Sequence, residues 1–182
     1  MPATPDDLFA FLDRLGIRHS TVQHAALFTV EQSQALRGRV PGAHTKNLFL
    51  KDKKGSLYLV TALEDATIEL KSLHGRIGAK GRFSFGPAEQ MRETLGVEPG
   101  AVTPLGALND TQRQVTVVLD AALMRHELIN AHPLVNTMTT ALAREDLLRF
   151  LRATGHEPLI TPVADGPAPA RWALQLAALL AI

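Results

Sequence analysis

Two apolar runs separated by a short polar loop constrain this chain more than any other feature. Leu48-Phe49-Leu50 runs into Asp52-Lys53-Lys54-Gly55, and Leu57-Tyr58-Leu59-Val60 runs out again. Apolar, β-forming segments joined by a polar, glycine-ended loop predict a β-hairpin. The residues opening its first strand, Thr45-Lys46-Asn47, are polar. At the mouth of a buried strand such groups are either plain surface residues or polar groups aimed into a cleft, and the hairpin alone does not choose.

The flanking sequence supplies helices and further strands. Thr4 suits a helix cap, Pro5 the first helical position, and Asp6 and Asp7 the positive end of the helix dipole. Leu8, Phe9, Phe11, Leu12 and Leu15 give the helix an apolar face, and Gly16 stops it. A strand is expected over Arg18 to His24, and helices over Val30 to Leu36, Ala66 to Leu73, Pro87 to Leu95 and Glu145 to Ala153. Val115 to Leu119 reads as a buried strand, Glu127 to Ala131 and Thr137 to Ala141 as strands flanking His132-Pro133, and Leu159 to Thr161 as an edge strand. This mixed spacing predicts a single α/β (α+β) domain with one central sheet, over residues 1–162. Beyond it, Ala164 to Ala170 is linker-like, and the apolar Arg171 to Ile182 stretch predicts a packed or dimer-bridging tail helix within 163–182. Eleven residues after Arg171 are too few to span a bilayer, which takes about 20, so no membrane partner is expected.

Composition narrows the chemistry. The 182 residues are 46% hydrophobic and 20% charged with a formal net charge of +1, so bulk charge selects no partner. With no cysteine, disulfides, thiolate metal sites and a cysteine nucleophile are excluded. The Met1-Pro-Ala-Thr-Pro-Asp-Asp start lacks the layout of a signal peptide, which makes a cytoplasmic enzyme or binding protein the expectation. No G-x-S-x-G elbow and no Walker loop occurs, and Gly75, Gly78 and Gly81 do not form a dinucleotide fingerprint. The seven histidines include no H-E-x-x-H pair, and His19 and His24, five apart on one strand, face opposite sides. Neither a metal nor a cofactor is expected. Lysine, asparagine, histidine, backbone donors and water remain.

Three polar stretches stand out. Between Glu69 and Glu89 there is no acid, while Lys71, Arg76, Lys80 and Arg82 all fall there beside His74. Lys51, Lys53 and Lys54 join them if the hairpin lies alongside. Such segregation suits an anionic partner such as RNA phosphate, and a solvated loop with glycines for flexibility suits it equally. No Phe, Trp or Tyr interleaves the cations from Lys71 to Arg82, so a stacking platform is not expected among them. The Gly100 to Asp110 loop offers backbone amides that could wrap a ligand or an oxyanion, or is a mere turn before the Val115 strand. His132-Pro-Leu-Val-Asn136-Thr-Met-Thr139 sets a histidine and an asparagine ahead of alternating threonines, where a structural, hydrogen-bonded histidine is the plain alternative.

In order and at wide spacing, Thr45-Lys46-Asn47-Leu-Phe-Leu-Lys51-Asp, Gly100-x-x-Thr103-Pro-Leu-Gly106-Ala-Leu-Asn-Asp110 and His132-Pro-Leu-x-Asn136-Thr-x-Thr139 resemble the motifs of the YbaK/ProX superfamily of aminoacyl-tRNA deacylases. The resemblance runs from about Pro5 to Pro162 and is to the free-standing ProX or PrdX branch, related to the editing insertion of bacterial prolyl-tRNA synthetase. It implies a mixed, mostly antiparallel sheet flanked by helices, and hydrolysis of mischarged Ala-tRNA(Pro). Lys46 would hold the phosphate and ribose end of the terminal adenosine. Asn47 would help place the ester, the Gly106 loop would line the aminoacyl pocket, and His132 would shape the pocket or orient water. Thr45, Lys51, Arg76, Lys80, Arg82, Thr103 and Asn136 are the further substrate and tRNA-contacting candidates, and Val102, Leu105 and Met138 are candidates for the pocket wall.

The implied chemistry is economical. An activated ester needs only a placed water and a stabilised oxyanion, which fits the missing nucleophiles, and the substrate's own 2′-hydroxyl is expected to help. A pocket built for proline rejects the smaller alanine weakly, since a few lost methylenes are worth about 1–3 kcal/mol, so a second small site is needed. The expected partners are the tRNA(Pro) acceptor end carrying alanine, prolyl-tRNA synthetase, and a second copy of the chain. Three alternatives stay open at this level: a deacylase for cysteine or serine, a non-catalytic tRNA-binding module, and an adaptor acting through the apolar tail.

Overall fold

The computed structural model of the chain describes residues 1–26 and 40–164. Helix α1 (Pro5–Arg14) begins at a capping box in which the Asp7 amide donates to Thr4 Oγ1 at 3.2 Å and the Thr4 amide donates to Asp7 Oδ2 at 2.8 Å. Strands β1 (His19–Gln23), β2 (Ala43–Lys51) and β3 (Leu57–Leu63) follow, then α2 (Leu70–Ile77), β4 (Ser84–Phe85) and α3 (Ala88–Leu95). A 3₁₀ turn at Pro104–Leu108 leads into β5 (Val115–Asp120), and a second at Leu123–Arg125 into β6 (Leu128–Ala131). Strand β7 (Met138–Ala143), α4 (Arg144–Ala153) and β8 (Leu159–Thr161) complete the domain. The expected helix over Val30 to Leu36 and the tail helix lie outside the described residues.

The sheet has the order β1-β7-β6-β2-β3-β5-β8, with β4 also paired to β2. Four ladders are antiparallel (β1/β7, β6/β7, β2/β3, β2/β4) and three are parallel (β2/β6, β3/β5, β5/β8). The mixed, mostly antiparallel sheet is therefore as expected, and the hairpin is its centre. Two apolar clusters lie on its two faces. On one, Phe49 of β2, Leu59 of β3, Val117 of β5 and Ile129 of β6 pack against Leu8 and Leu12 of α1, Leu95 of α3 and Phe150 of α4. On the other, Leu50, Tyr58, Val60, Ala62 and Val118 pack against Leu73 and Ile77 of α2 and against Val163. Alternate residues of β2 and β3 serve opposite clusters, as the two-residue period of a strand requires, which is why both strands read as continuous apolar runs.

One boundary moves. The helix expected over Ala66 to Leu73 occupies Leu70–Ile77 instead, because the Glu69 carboxylate accepts from the Lys71 amide at 3.2 Å and caps it there, and Gly78 ends it in a left-handed conformation. The glycines at 75 and 78 are thus a helix residue and a helix stop, not a flexible loop. The two-residue β4 has no counterpart in the sequence reading.

Candidate active site

The site is built where β2 loses its neighbour. Parallel pairing between β2 and β6 is confined to Ala43 with Ile129 and His44 with Asn130. Gly42 makes this junction possible: a Cβ there would stand 2.8 Å from the Leu128 carbonyl oxygen. Asn130 Nδ2 donates to the Pro41 carbonyl at 3.0 Å and Thr45 Oγ1 donates to the Asn130 carbonyl at 2.8 Å. Further along the same edge of β2, β4 pairs with Leu50 and Lys51. Between these two partners, at Lys46-Asn47-Leu48, no described strand pairs with this edge of β2. Carried two ranks past its last pair, the β2/β6 register sets Lys46 level with His132, just beyond the end of β6. By alternation Lys46 shares its face with His44 and Asn130. Asn130 Oδ1 is buried there without a hydrogen-bond partner, an acceptor held at a cost of roughly 1–3 kcal/mol.

Lys46 is half-buried, and its ammonium donates to the Ala66 carbonyl. A neutral carbonyl is a weaker acceptor than a phosphate oxygen, so the contact parks the cation without saturating its three donors. Asn47 points to the opposite face, where its Oδ1 accepts from Thr61 Oγ1 at 2.7 Å. The two adjacent candidates are therefore not brought together by their side chains.

His132 is set up as an acceptor. Its Nδ1 lies 3.0 Å from the Met138 carbonyl oxygen, so in the neutral ring Nδ1 carries the proton and Nε2 the lone pair. Burial pushes the imidazole below its ordinary range, the Met138 carbonyl opposes this, and nearby His24 adds to the lowering. His24 follows β1: its amide donates to the Thr137 carbonyl at 2.9 Å, its Nδ1 lies 2.7 Å from the Ala25 carbonyl, and its Nε2 lies 2.9 Å from Thr139 Oγ1. The intervening turn holds Leu134 at φ +68° while burying it, a strained arrangement of the kind that concentrates at functional sites. Asn136 sits on this turn, half-buried. His24 lies outside the motif stretches, and only the β1/β7 pairing brings it to Thr139 and His132.

Of the two readings of the Gly100–Asp110 loop, the structure favours the turn. Several of its amides are engaged within it: Leu105 donates to Thr103 Oγ1 at 3.3 Å, Gly106 to the Thr103 carbonyl at 3.1 Å, Asn109 to the Gly106 carbonyl at 3.0 Å, and Asp110 to the Ala107 carbonyl at 3.2 Å. Pro at its first position and the Thr103 cap wind the segment into a 3₁₀ turn that consumes its own donors. Thr103 and Leu105 are fully buried, and a Cβ on Gly106 would stand 3.1 Å from Leu95 Cβ. Asp110 closes the loop as a latch, accepting from the Gln114 and Val115 amides and lying 3.0 Å from His156 Nε2.

The basic residues divide. Lys51 Nζ donates to Gln90 Oε1 at 3.1 Å, and Arg76 donates to the carbonyls of Val163 and Ala164, both at 3.1 Å. Lys80 and Arg82 are exposed. Asp52 is turned inward: burial would raise its carboxyl, but donation from the Ser56, Lys80 and Lys54 amides and the Tyr58 hydroxyl holds it below the usual carboxylate range. A pocket of about 230 Å³ lined by Gly42, His44, Leu63, Glu64, Asp65 and His126 adjoins the start of β2. Among the described residues no group of three or more metal-ligating side chains occurs, and no helix is long and apolar enough to cross a membrane.

With Lys46 and a neutral His132 just past the end of the β2/β6 ladder, the fold is a small α/β domain with polar groups at the middle of its sheet. Residues 24–150 match the aminoacyl-tRNA editing domain, and the chain belongs to that family. It is 40% identical over 156 residues to prolyl-tRNA synthetase associated domain-containing protein 1 of Danio rerio, covering 85% of this chain and 84% of that one. It is 35% identical over 150 residues to the prolyl-tRNA editing protein ProX of Acetoanaerobium sticklandii, covering 82% and 91%. A structure solved as that of a candidate trans-editing enzyme for prolyl-tRNA synthetase superposes with a TM-score of 0.63 at 20% identity, covering 90% of this chain and 99% of that one, which shows a shared fold.

Proposed function

We propose that the chain is a free-standing deacylase that hydrolyses the ester of mischarged Ala-tRNA(Pro), correcting prolyl-tRNA synthetase in trans. The observation that carries the reading is the level placing of Lys46 and a His132 whose Nε2 lone pair is free of the Met138 contact. Lys46 exchanges the Ala66 carbonyl for the phosphate and ribose end of the terminal adenosine, gaining a charge-assisted bond. Water, held through His132 Nε2 or by the vicinal ribose hydroxyl, attacks the ester carbon. The tetrahedral intermediate collapses with cleavage of the acyl C–O bond, the ribose oxygen takes up a proton, and alanine leaves as its carboxylate. No protein nucleophile takes part, and positioning supplies most of the rate. The prolyl-tRNA names of the relatives support the choice of tRNA(Pro), and the motif resemblance of this sequence supports alanine.

The test is release of alanine from Ala-tRNA(Pro), with Pro-tRNA(Pro) and Lys46→Ala protein alongside. Fast release of alanine, sparing of proline, and a loss of about 100-fold in kcat/KM for the variant are expected, the size typical of a misplaced reacting group. Release from Cys- or Ser-tRNA in place of alanine would reassign the substrate. Absence of release from any small aminoacyl-tRNA would leave a binding fold.

A further inference from the structure

Strand β4 carries a side chain that the cleft does not use. Phe85 is 66% exposed, the one aromatic ring so exposed among the described residues. Phe83, two residues earlier, is turned inward, its ring edge-on to Tyr58 at 5.1 Å. The connection that leads into β4 is cationic. Lys53 and Lys54 of the β2–β3 loop and Lys80 and Arg82 of the α2–β4 connection are all exposed. The two segments lie together: the Lys80 amide donates to Asp52 Oδ2 at 3.1 Å, and a Cβ on Gly81 would stand 3.1 Å from Lys53 Cδ. Asp52, the only acid in either segment, faces inward onto those amides, so the surface presents its cations unopposed.

The position matters as much as the composition. Phe85 stands directly opposite Leu50 in the β2/β4 ladder, on the open edge of β2 and on the same side of the sheet as Lys46. Four residues of strand separate the two along β2, about 14 Å, or a few stacked nucleotides at roughly 3.4 Å each. An exposed ring next to a cationic surface is the chemistry of single-stranded nucleic-acid binding, where bases stack on aromatic faces and phosphates meet lysine and arginine. We propose that Phe85, with Lys53, Lys54, Lys80 and Arg82 on the adjoining loops, is a stacking platform for the unpaired nucleotides just upstream of the esterified 3′ end. The inference rests on the reading of Lys46 as the anchor of the terminal adenosine.

Phe85→Ala and Phe85→Trp are compared with wild type on two substrates: full alanyl-tRNA, and the alanyl ester of AMP, which ends before the platform. The alanine variant is expected to raise KM on the tRNA about ten-fold, the size of one lost base stack, with kcat unmoved. The tryptophan variant restores it, and KM for the short ester stays the same throughout. An unchanged KM on tRNA, or an equal rise on both substrates, overturns the platform. Fluorescence anisotropy with an unacylated single-stranded RNA ending in CCA needs no turnover. Weaker binding by the alanine variant supports the platform even if wild-type protein releases no alanine, a result that would sink only the deacylase reading. Unchanged RNA binding with a weakened complex with prolyl-tRNA synthetase would make the ring a protein contact and overturn the proposal.

Discussion

The Thr103–Asp110 loop and the His132–Thr137 turn are written in similar residues, each with a Pro-Leu pair, an asparagine and a threonine, and the fold treats them oppositely. In the loop every polar group is engaged: Thr103 caps, Asn109 accepts from the Ala3 amide at 2.7 Å and donates to the Leu95 carbonyl at 2.9 Å, and Asp110 meets two amides and His156. In the turn, Leu134 is strained, His132 keeps one nitrogen uncommitted, and Asn136 makes no side-chain hydrogen bond among the described residues. The loop is a piece of core written in polar letters, whereas the turn leaves polar side-chain atoms without a partner among the described residues. A polar motif therefore says that polar groups are needed, and only their partners say whether for folding or for a ligand.

The contrast is breakable. Asp110→Ala leaves the buried Val115 amide and His156, and the part-buried Gln114 amide, without their acceptor, and is expected to lower stability by about 3 kcal/mol. Urea denaturation measures this, and a loss under 1 kcal/mol would mean that the latch is dispensable. His132→Gln acts on the other side of the comparison, with about a ten-fold loss of kcat/KM, the low end for general acid–base help, and little change in stability. The pH dependence gives its signature. With its pKa below the ordinary 6.5, folded His132 stays neutral where the unfolded residue has begun to protonate. The unfolded state then binds more protons, so stability contributed by His132 is present above the unfolded pKa and is lost as pH falls through 6.5 toward the lower folded value. The acidic limb of kcat/KM is expected to have its midpoint below 6.5 and to disappear in the variant; a limb centred above 6.5 contradicts this environment. Gly106→Ala is the mildest. Its Cβ meets Leu95 at 3.1 Å, so a cost of about 1 kcal/mol is expected in thermal melts. A larger change in KM for the alanyl ester than in stability would show that the loop also walls the pocket.

Much of the scaffold was legible because its signals are local. The Thr4 cap and Pro5 start of α1, the apolar runs of the hairpin and the Gly96 stop after α3 depend on residues within a turn or two of each other. The motif stretches were legible as polar exceptions and by resemblance. What could not be read is long-range. That Lys46 is level with His132 follows from a two-rank pairing between residues some 86 apart, Ala43 with Ile129 and His44 with Asn130. That Asn47 faces away from Lys46 follows from strand alternation once the β3 partner Thr61 is known. Arg76 counted among the free cations until Val163 and Ala164 came to lie beside it.

By itself, then, the sequence determined most of the described helices and strands and the inventory of groups available for chemistry, since propensity, capping and apolar period are properties of neighbouring residues. The tertiary structure decided which of those groups share a face, which are consumed by backbone partners, and that Phe85 stands exposed on β4 opposite Leu50. Those outcomes depend on strand register, which is set by burying the whole sheet at once and not by any one segment.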